Sequence, residues 1–245
     1  KGSITLKRGY GKFLDDRTVK IKMEDHEEIV TGEFVIVATG SKPRKYSGIE
    51  VDQERIINSD GILNLKKFPK RMLIIGSGII GCEYATSFSS YKQTEVHLLD
   101  RTHRVIPCED DDVGNFVSNK LEENGVNIHY TAELRTITKK TDCLEVHLDY
   151  QNGRSTVLEV DLALIAIGRV PNTDTIGLEN TAAYLNKKGF FVTDNDLSCV
   201  TLDDSPCNIY AVGDVTGIGQ FFSIAELQGR HAVKKIVNDV DYSLS

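Results

Sequence analysis

Glycines at a fixed spacing mark the part of this 245-residue chain whose residue types suit a defined chemistry. Gly76, Gly78 and Gly81 form a G-x-G-x-x-G pattern that follows one apolar run and leads into another. The first glycine permits a tight turn, the second lets a phosphate approach the backbone, and the third lets a helix pack closely on a strand. Free N–H groups and the dipole at the start of that helix attract anions. The pattern therefore predicts a site for the pyrophosphate of a dinucleotide, with a purely structural turn as the alternative.

The acid that completes this pattern stands at the end of the next apolar run. Residues 96–99 are followed by Asp100, nineteen residues past the last glycine, and a carboxylate at this point accepts hydrogen bonds from ribose hydroxyls. Arg101, with His103 and Arg104 close behind it, supplies positive charge suited to the 2′-phosphate of NADP. The sequence therefore carries signals for both NAD and NADP, and a solvated loop is the alternative for the arginines.

The segments around the loop must form strands and helices if the glycines are to act in this way. The periodicity of their apolar residues predicts that strands and helices alternate and that antiparallel strands follow. The predicted elements are strands at 72–75, 96–99, 126–130 and 162–167, helices at 79–88 and 113–121, and antiparallel strands at 134–138, 143–150 and 155–160. An Asn-Gly turn at 151–154 joins the last two strands. Four consecutive acids at 109–112 suit the start of a helix, and a metal site is the alternative for them.

The rest of the chain is predicted to be mainly strand, with one further helix. The predicted strands are at 3–7, 18–22, 34–38 and 208–212, with turns at Gly9, Gly11 and 15–16, a charged hairpin tip at 24–28, a connector at 44–70, a short segment at 176–178, a hairpin-like run at 190–193 and a helix at 222–237.

Composition and charge exclude several classes of function. The formal net charge of −7 argues against a nucleic-acid partner or an anionic membrane surface, and no apolar run is long enough to span a bilayer. The N-terminal residues match neither a signal peptide nor a transit peptide. The five cysteines are odd in number and form neither a C-x-x-C motif nor a metal-ligand cluster. We therefore expect free thiols, no metal, and a soluble protein of a reducing compartment, such as the cytoplasm or an organelle matrix or stroma.

Three further strand ends carry small or acidic residues. The predicted strand 34–38 is closed by Thr39 and Gly40, and the strand 162–167 is closed in the same manner by Gly168. The strand 208–212 ends in Gly213 and Asp214, shortly before the last predicted helix. Taken one at a time, these are compatible with ordinary strand-end turns.

In their order along the chain, these motifs resemble those of the pyridine nucleotide–disulfide oxidoreductase family. The finer likeness is to its soluble pyridine nucleotide transhydrogenase branch, with dihydrolipoamide dehydrogenase as the near neighbour. It is carried by residues 55–63, 80–85, 104–106 and 228–230.

The resemblance implies an α/β fold in which a Rossmann-like NAD(P)-binding domain is nested within parts of an FAD-binding domain, in three β/β/α layers. We expect partial FAD-binding domains at 1–66 and 173–245 and the NAD(P)-binding domain at 67–172. The implied activity is flavin-dependent hydride transfer from NADPH to NAD, with FAD and NAD or NADP as cofactors.

The resemblance also implies roles for single residues. Asp214 matches the acid that binds the FAD ribitol, and Glu83 matches a helix acid near the flavin, although a first-turn acid favoured by the helix dipole is the alternative for Glu83. Ile79 matches a gate position over the flavin. No residue is assigned a catalytic role. The implied cofactor-binding residues are Thr39, Gly40, Gly76, Gly78, Gly81, Glu83, Asp100, Arg101, Gly168, Gly213 and Asp214.

The chain departs from the family pattern in three respects. It carries no N-terminal FAD fingerprint, no C-x-x-x-x-C dithiol and no C-terminal interface domain, through which the family forms homodimers. We therefore expect either a piece of a longer enzyme or a chain that has lost part of the machinery. The alternatives are a non-catalytic nucleotide-binding or structural subunit of a larger assembly, and a disulfide reductase with its cysteines upstream of the first residue.

Overall fold

The computed structural model describes residues 4–203 and 206–237, which form two compact units. One unit, called here the glycine-loop unit, is Pro43–Arg169. The other, called here the split unit, comprises the described residues up to Lys42 and from Val170 onward.

Strands and helices are numbered in chain order. The strands before the glycine loop are β1 (Tyr10–Phe13), β2 (Thr18–Lys22), β3 (Glu27–Thr31), β4 (Val35–Val37), β5 (Ser41–Pro43) and β6 (Ile56–Asn58). The middle of the chain contains β7 (Arg71–Ile75), β8 (Glu95–Leu99), β9 (Asn127–His129), β10 (Ala132–Lys139), β11 (Leu144–Tyr150), β12 (Ser155–Val160), β13 (Leu162–Ile165) and β14 (Arg169–Pro171). The last strands are β15 (Ser198–Val200) and β16 (Pro206–Ala211), and the helices are α1 (Ile79–Ser90), α2 (Asp111–Glu123) and α3 (Phe222–Ile236).

A parallel sheet of five strands in the order β6-β13-β7-β8-β9 organises the glycine-loop unit, every residue of which is described. Alternate residues of β7 point to opposite faces. Met72 and Ile74 join one core with α1 and α2, whereas Leu73 and Ile75 join a second core with the antiparallel strands β10–β12. Because both faces of the sheet are covered, its strands are continuous apolar runs rather than alternating ones. The predicted α/β fold with β/β/α layers is confirmed.

The order of the strands fixes where a ligand can enter this sheet. From β7 the chain passes through α1 to β8 on one side, while β13 pairs with β7 on the other side. The segments that lead from β7 to β8 and from β12 to β13 therefore lie on opposite sides of β7. Such a change in strand order leaves a crevice at the carboxyl ends of β7 and β13. The glycine loop follows β7 directly at this edge.

The split unit contains two three-stranded sheets within the described residues. Strands β1, β2 and β3 form an antiparallel meander. Strand β16 lies between β15, to which it is antiparallel, and β4, to which it is parallel. Phe13, Val37, Phe191 and Ile209 are fully buried or nearly so and belong to one apolar core.

Most predicted elements are confirmed, with ends shifted by a few residues. These are the strands at 18–22, 34–38, 72–75, 96–99, 126–130, 134–138, 143–150, 155–160, 162–167 and 208–212, and the helices at 79–88, 113–121 and 222–237.

The predictions near the N-terminus are wrong in part. Residues 4–7 form no strand, and Ser3 lies outside the described residues. Gly11 lies inside β1, opposite Ile21, rather than in a turn. The hairpin tip is shorter than predicted, because Glu27 and Glu28 already pair within β3. The hairpin-like run at 190–193 is confirmed, because Phe191 makes an antiparallel bridge with Leu185.

The compact units divide the chain at different points from the predicted domains. The divisions fall after Lys42 and after Arg169, not after residues 66 and 172, and the predicted connector contains β6, which pairs with β13 in the parallel sheet. The assignment of these parts to FAD and NAD(P) stays a prediction. Among the helices of residues 4–203 and 206–237, none is both long and apolar enough to cross a membrane.

Candidate nucleotide site

A cavity of about 580 Å³ opens in the glycine-loop unit at the carboxyl ends of β7, β8 and β13. Gly76 and Gly78 line it on the side of β7, Asp100 and Arg101 on the side of β8, and Gly168 on the side of β13. The structure therefore brings five of the predicted cofactor-binding residues to one cavity, at the crevice expected from the strand order.

The three glycines of the loop differ in what a side chain would meet. A Cβ on Gly81 would lie 1.9 Å from the carbonyl oxygen of Gly76, and a Cβ on Gly76 would lie 2.5 Å from that of Ala166. Gly76 also has a φ of +104°, which favours glycine. A Cβ on Gly78 would meet no atom within 4 Å. Gly76 and Gly81 are thus required by the fold, whereas Gly78 leaves open space in the cavity wall.

The start of α1 faces this space without a side-chain cap. The N-cap residue is Gly78, and no side-chain oxygen accepts a hydrogen bond from the first turn. The first N–H groups of a helix have no partner within the helix, and they carry its positive dipole end. The loop therefore fits a phosphate group in both shape and charge.

Asp100 is held by hydrogen bonds from its own chain. Its Oδ2 accepts from the backbone N–H of Ser77 (2.7 Å) and from the Ser77 hydroxyl (2.6 Å), and its Oδ1 accepts from the N–H of Thr102 (2.9 Å). The Thr102 hydroxyl lies 2.8 Å from Oδ1 and 2.7 Å from the carbonyl oxygen of Arg104. Since a hydroxyl has one proton, it donates to one of these acceptors at a time.

This arrangement changes the role predicted for Asp100. A carboxylate has about four lone-pair directions, and three of them are taken by Ser77 and by the Thr102 amide. The fourth is open to a ligand hydroxyl when the Thr102 hydroxyl donates to Arg104. Asp100 is thus a brace between the glycine loop and the end of β8, and its contact with a ribose stays a prediction.

The same hydrogen bonds alter the acidity of Asp100. Partial burial disfavours its charged form, but the bonds from Ser77 and Thr102 outweigh burial and lower the pKa of Asp100 below its ordinary value. The carboxylate is therefore ionised at neutral pH.

The two predicted arginines that follow Asp100 have different partners. Arg101 is 65% exposed and lines the cavity, where its Nε lies 3.4 Å from Oε1 of Glu133, another lining residue. Arg104 is only 16% exposed and pairs instead with Asp111 in the first turn of α2. Of the predicted cations, Arg101 alone lies at the cavity.

Two cations at the cavity were not predicted from the sequence. Arg44 and Lys45 both line it, and the Arg44 N–H donates to the carbonyl oxygen of Gly168 (2.9 Å). The basic pair directly after Pro43, at a predicted strand-end turn, was the available signal.

Four predicted residues lie in the split unit. The Thr39 hydroxyl donates to the carbonyl oxygen of Asn172 (2.8 Å), and the Asn172 N–H donates to that of Gly40 (3.0 Å). These bonds join the two segments at which the chain passes between its units, so Thr39 and Gly40 have a structural role of their own.

Gly213 and Asp214 form the start of a 3-10 helix, Gly213–Thr216, directly after β16. The Gly213 N–H donates to Oε1 of the buried Gln228 on α3 (2.6 Å), and the Ser41 hydroxyl donates to Oδ2 of Asp214 (2.6 Å). Gln228 thus supports this turn. Glu83, by contrast, is exposed on α1 and is not among the residues that line the cavity of the glycine-loop unit.

Comparison with known proteins identifies relatives over nearly the whole chain. The profile of the family described as pyridine nucleotide-disulphide oxidoreductase matches residues 2–229. A dihydrolipoyl dehydrogenase of Chlamydia muridarum is 32% identical over 98% of this chain and 50% of its own length. A soluble pyridine nucleotide transhydrogenase of Pseudomonas aeruginosa is 34% identical over 97% of this chain and 49% of its own length. The predicted family resemblance is confirmed.

A solved structure shows the same fold. A copper(II) complex of the HOCl-induced flavoprotein disulfide reductase RclA from Escherichia coli superposes with a TM-score of 0.84 at 27% identity, covering 96% of this chain and 51% of the other. The chain spans about half the length of the curated relatives it matches. FAD and NAD(P), the predicted cofactors, are those that these families use.

The first prediction separates the structural glycine from the open one. Gly81→Ala should lower the free energy of unfolding by about 1–3 kcal/mol, because the new methyl group overlaps the Gly76 carbonyl and α1 must move away from β7. Gly78→Ala is the matched control and should lower it by less than about 1 kcal/mol. Urea unfolding followed by circular dichroism measures both, and equal losses would contradict the distinction.

The second prediction concerns the brace at Asp100. Asp100→Asn should lower the free energy of unfolding at pH 7 by about 1–3 kcal/mol, because the amide faces the donors of Ser77 with a group of lower acceptor capacity. The pKa of Asp100 is lowered in the folded state, so its contribution is complete above the unfolded pKa of about 3.9 and is lost as pH falls further.

The difference between wild type and Asp100→Asn should therefore shrink below about pH 4. Urea unfolding across pH 3–7 measures it. Asp142→Asn, at an exposed position between β10 and β11, is the control and should leave stability unchanged. A constant difference at every pH would show that the ionised carboxylate is not responsible.

Proposed function

Because the chain belongs to the pyridine nucleotide-disulphide oxidoreductase family, we propose that it is part of an FAD-dependent enzyme that transfers hydride between nicotinamide nucleotides. When bound, the flavin and the nicotinamide supply the hydride chemistry, and the protein binds and orients them. No residue of this chain is proposed to act as an acid, a base or a nucleophile in that reaction.

The glycine-loop unit is proposed to bind the nicotinamide nucleotide. The observation that carries this proposal is the cavity beside Gly78, where the backbone is open and the start of α1 has no side-chain cap. Gly76 and Gly81 shape the loop, Gly168 closes the cavity on the side of β13, and Asp100 takes one ribose hydroxyl. A nicotinamide dinucleotide fits these groups, since they offer donors to a pyrophosphate and an acceptor to a ribose.

The split unit is proposed to supply part of the FAD site. Asp214 offers a partly buried carboxylate directly after β16, and Gly213, with a φ of +76°, makes the turn that precedes it. Thr39 and Gly40 belong to this part as the crossing segment. Glu83 is proposed to act near the flavin only on the strength of the family resemblance. The alternative of a first-turn acid is wrong, because α1 begins at Ile79 and has no acid in its first turn.

Both nicotinamide nucleotides are proposed as substrates, with Arg101 as the contact for the 2′-phosphate of NADP(H). Arg101 is exposed at the cavity beside Asp100, where the adenosine ribose would lie, and Glu133 holds it in place at 3.4 Å. The ion pair with Glu133 weakens the positive field at this point, so discrimination between NADP and NAD should be modest.

A dihydrolipoyl dehydrogenase type of activity is the second candidate. The 32% identity with the Chlamydia muridarum protein favours it about as much as the 34% identity with the transhydrogenase favours the first. It needs a dithiol outside this chain, whose sequence carries no C-x-x-x-x-C motif. Homodimer formation and the compartment also stay predictions.

The experiment that tests the proposal uses the protein expressed from its complete coding sequence. Purified protein should show the visible absorption bands of oxidised flavin, and it should transfer hydride from NADPH to a thionicotinamide analogue of NAD. Absence of flavin bands would favour a non-catalytic subunit and contradict the proposal. Reduction of NAD by dihydrolipoamide, without transfer between nucleotides, would replace it by the second candidate.

The third prediction tests the nucleotide contact. Arg101→Gln should raise the KM for NADPH about tenfold, equivalent to about 1.4 kcal/mol, while the KM for NADH changes little, because only NADPH carries the 2′-phosphate. Arg104→Gln is the matched control, since Arg104 pairs with Asp111, and it should leave the ratio of the two KM values unchanged. An equal change for both nucleotides in Arg101→Gln would exclude Arg101 as the phosphate contact.

A further inference from the structure

Two cysteines of the split unit lie on neighbouring strands. Cys199 lies in β15 and Cys207 in β16, with seven residues between them. These strands are antiparallel: Ser198 lies opposite Tyr210 and Val200 opposite Pro206, and the register shifts between these pairs. Cys199 therefore lies opposite the bulged segment that begins with Cys207.

The two thiols differ in their surroundings. Cys199 is fully buried in the apolar core that contains Phe13 and Ile209, whereas Cys207 is half-buried at the edge of that core. Both side chains pack against this core, and the Cys207 thiol donates to the carbonyl oxygen of Ile209 (3.8 Å). Cys207 is thus the more accessible of the two thiols.

The two thiols also differ in pKa. The hydrogen bond from Cys199 lowers the pKa of Cys207 to about 7, against opposing effects of burial and of the carboxylates of Asp16 and Asp194. The same contact, with burial and Asp194, raises the pKa of Cys199. Of the two thiols, Cys207 is therefore the one that ionises more readily to the thiolate, the reactive form of cysteine.

We propose that Cys199 and Cys207 form a redox-sensitive pair that closes to an intrachain disulfide when the protein meets a peroxide. Neighbouring residues of antiparallel strands have Cα atoms about 4.5–5.5 Å apart, which lies within the range that a disulfide requires. All five cysteines of the chain are free in the structure, so the described state is the reduced one. The proposed pair does not depend on the proposed function.

The reaction balances with hydrogen peroxide as the oxidant. The Cys207 thiolate attacks one peroxide oxygen, an S–O bond forms, the O–O bond breaks, and hydroxide leaves with the electron pair. The Cys199 sulfur then attacks the sulfenic acid of Cys207, an S–S bond forms, and the S–O bond breaks. The hydroxyl leaves as water with the proton of Cys199. The hydroxide takes up the proton that Cys207 released on ionising, so two thiols are oxidised to one disulfide and one peroxide is reduced to two waters.

The fourth prediction tests this chemistry by mapping the disulfide in the protein expressed from its complete coding sequence. Reduced protein is treated with stoichiometric hydrogen peroxide, and remaining thiols are blocked with iodoacetamide. No Lys or Arg lies between the two cysteines, so an Asp-specific protease is used, which cleaves between them at Asp203. We expect a linked peptide pair containing Cys199 and Cys207, two hydrogens lighter than the separate peptides, that dithiothreitol dissociates.

Variants identify the role of each sulfur. In Cys207→Ser the linked pair should be lost, whereas Cys108→Ser, at an exposed cysteine in the other unit, is the matched control and should retain it. Alkylation of Cys207 should be half-maximal near pH 7 in wild type and at a higher pH in Cys199→Ala, which lacks the donor.

The disulfide mapping is done on the wild-type protein, so its result does not depend on whether any variant folds. Overoxidation of Cys207 without a link to Cys199, or a disulfide from Cys207 to any other cysteine, would overturn the proposal.

Discussion

The hydrogen bonds from Ser77 to Asp100 are the interaction on which the cavity depends. They join the turn after β7 to the end of β8, and they combine a backbone donor and a hydroxyl donor on one carboxylate oxygen. Bonds to a charged acceptor are stronger than neutral ones, and this acceptor is partly withdrawn from water. With the loop held in this position, Gly78 presents open backbone to the cavity, and the start of α1 is left without a side-chain cap.

Around this brace, each feature of the glycine-loop unit depends on the parallel sheet. Strand β7 is buried on both faces and lies between β13 and β8. The glycine loop therefore leaves the sheet beside the ends of these two strands. The strand ends then bring unlike residues together, including Arg101 and Glu133. In the split unit, β16 places Cys207 at the edge of the apolar core and ends at the turn of Asp214.

Sequence patterns predicted the parallel sheet well and the first residues poorly. The runs at 72–75 and 96–99 are continuous and apolar because their strands are covered on both faces. Such runs can be recognised as strands without knowing which other strands pair with them. The run at 3–7 alternates apolar and polar residues, which is the pattern of a strand. Its described part, residues 4–7, pairs with no neighbouring strand, and a strand exists only where another strand accepts its hydrogen bonds. The compact units also divide the chain at other points than the predicted domains, since β6 joins its sheet through β13, about a hundred residues later.

The amino-acid sequence by itself determined the glycine loop, the helix behind it and the family, because these depend on residues within one turn or on motifs in a fixed order. Only the tertiary structure decided that Asp100 braces the loop, that Arg101 pairs with Glu133 while Arg104 does not reach the cavity, and that the strands of Cys199 and Cys207 pair. The physical reason is the same in each case. A hydrogen bond, an ion pair or a thiol contact acts over a few ångströms, and the register of strands far apart along the chain sets which side chains come that close.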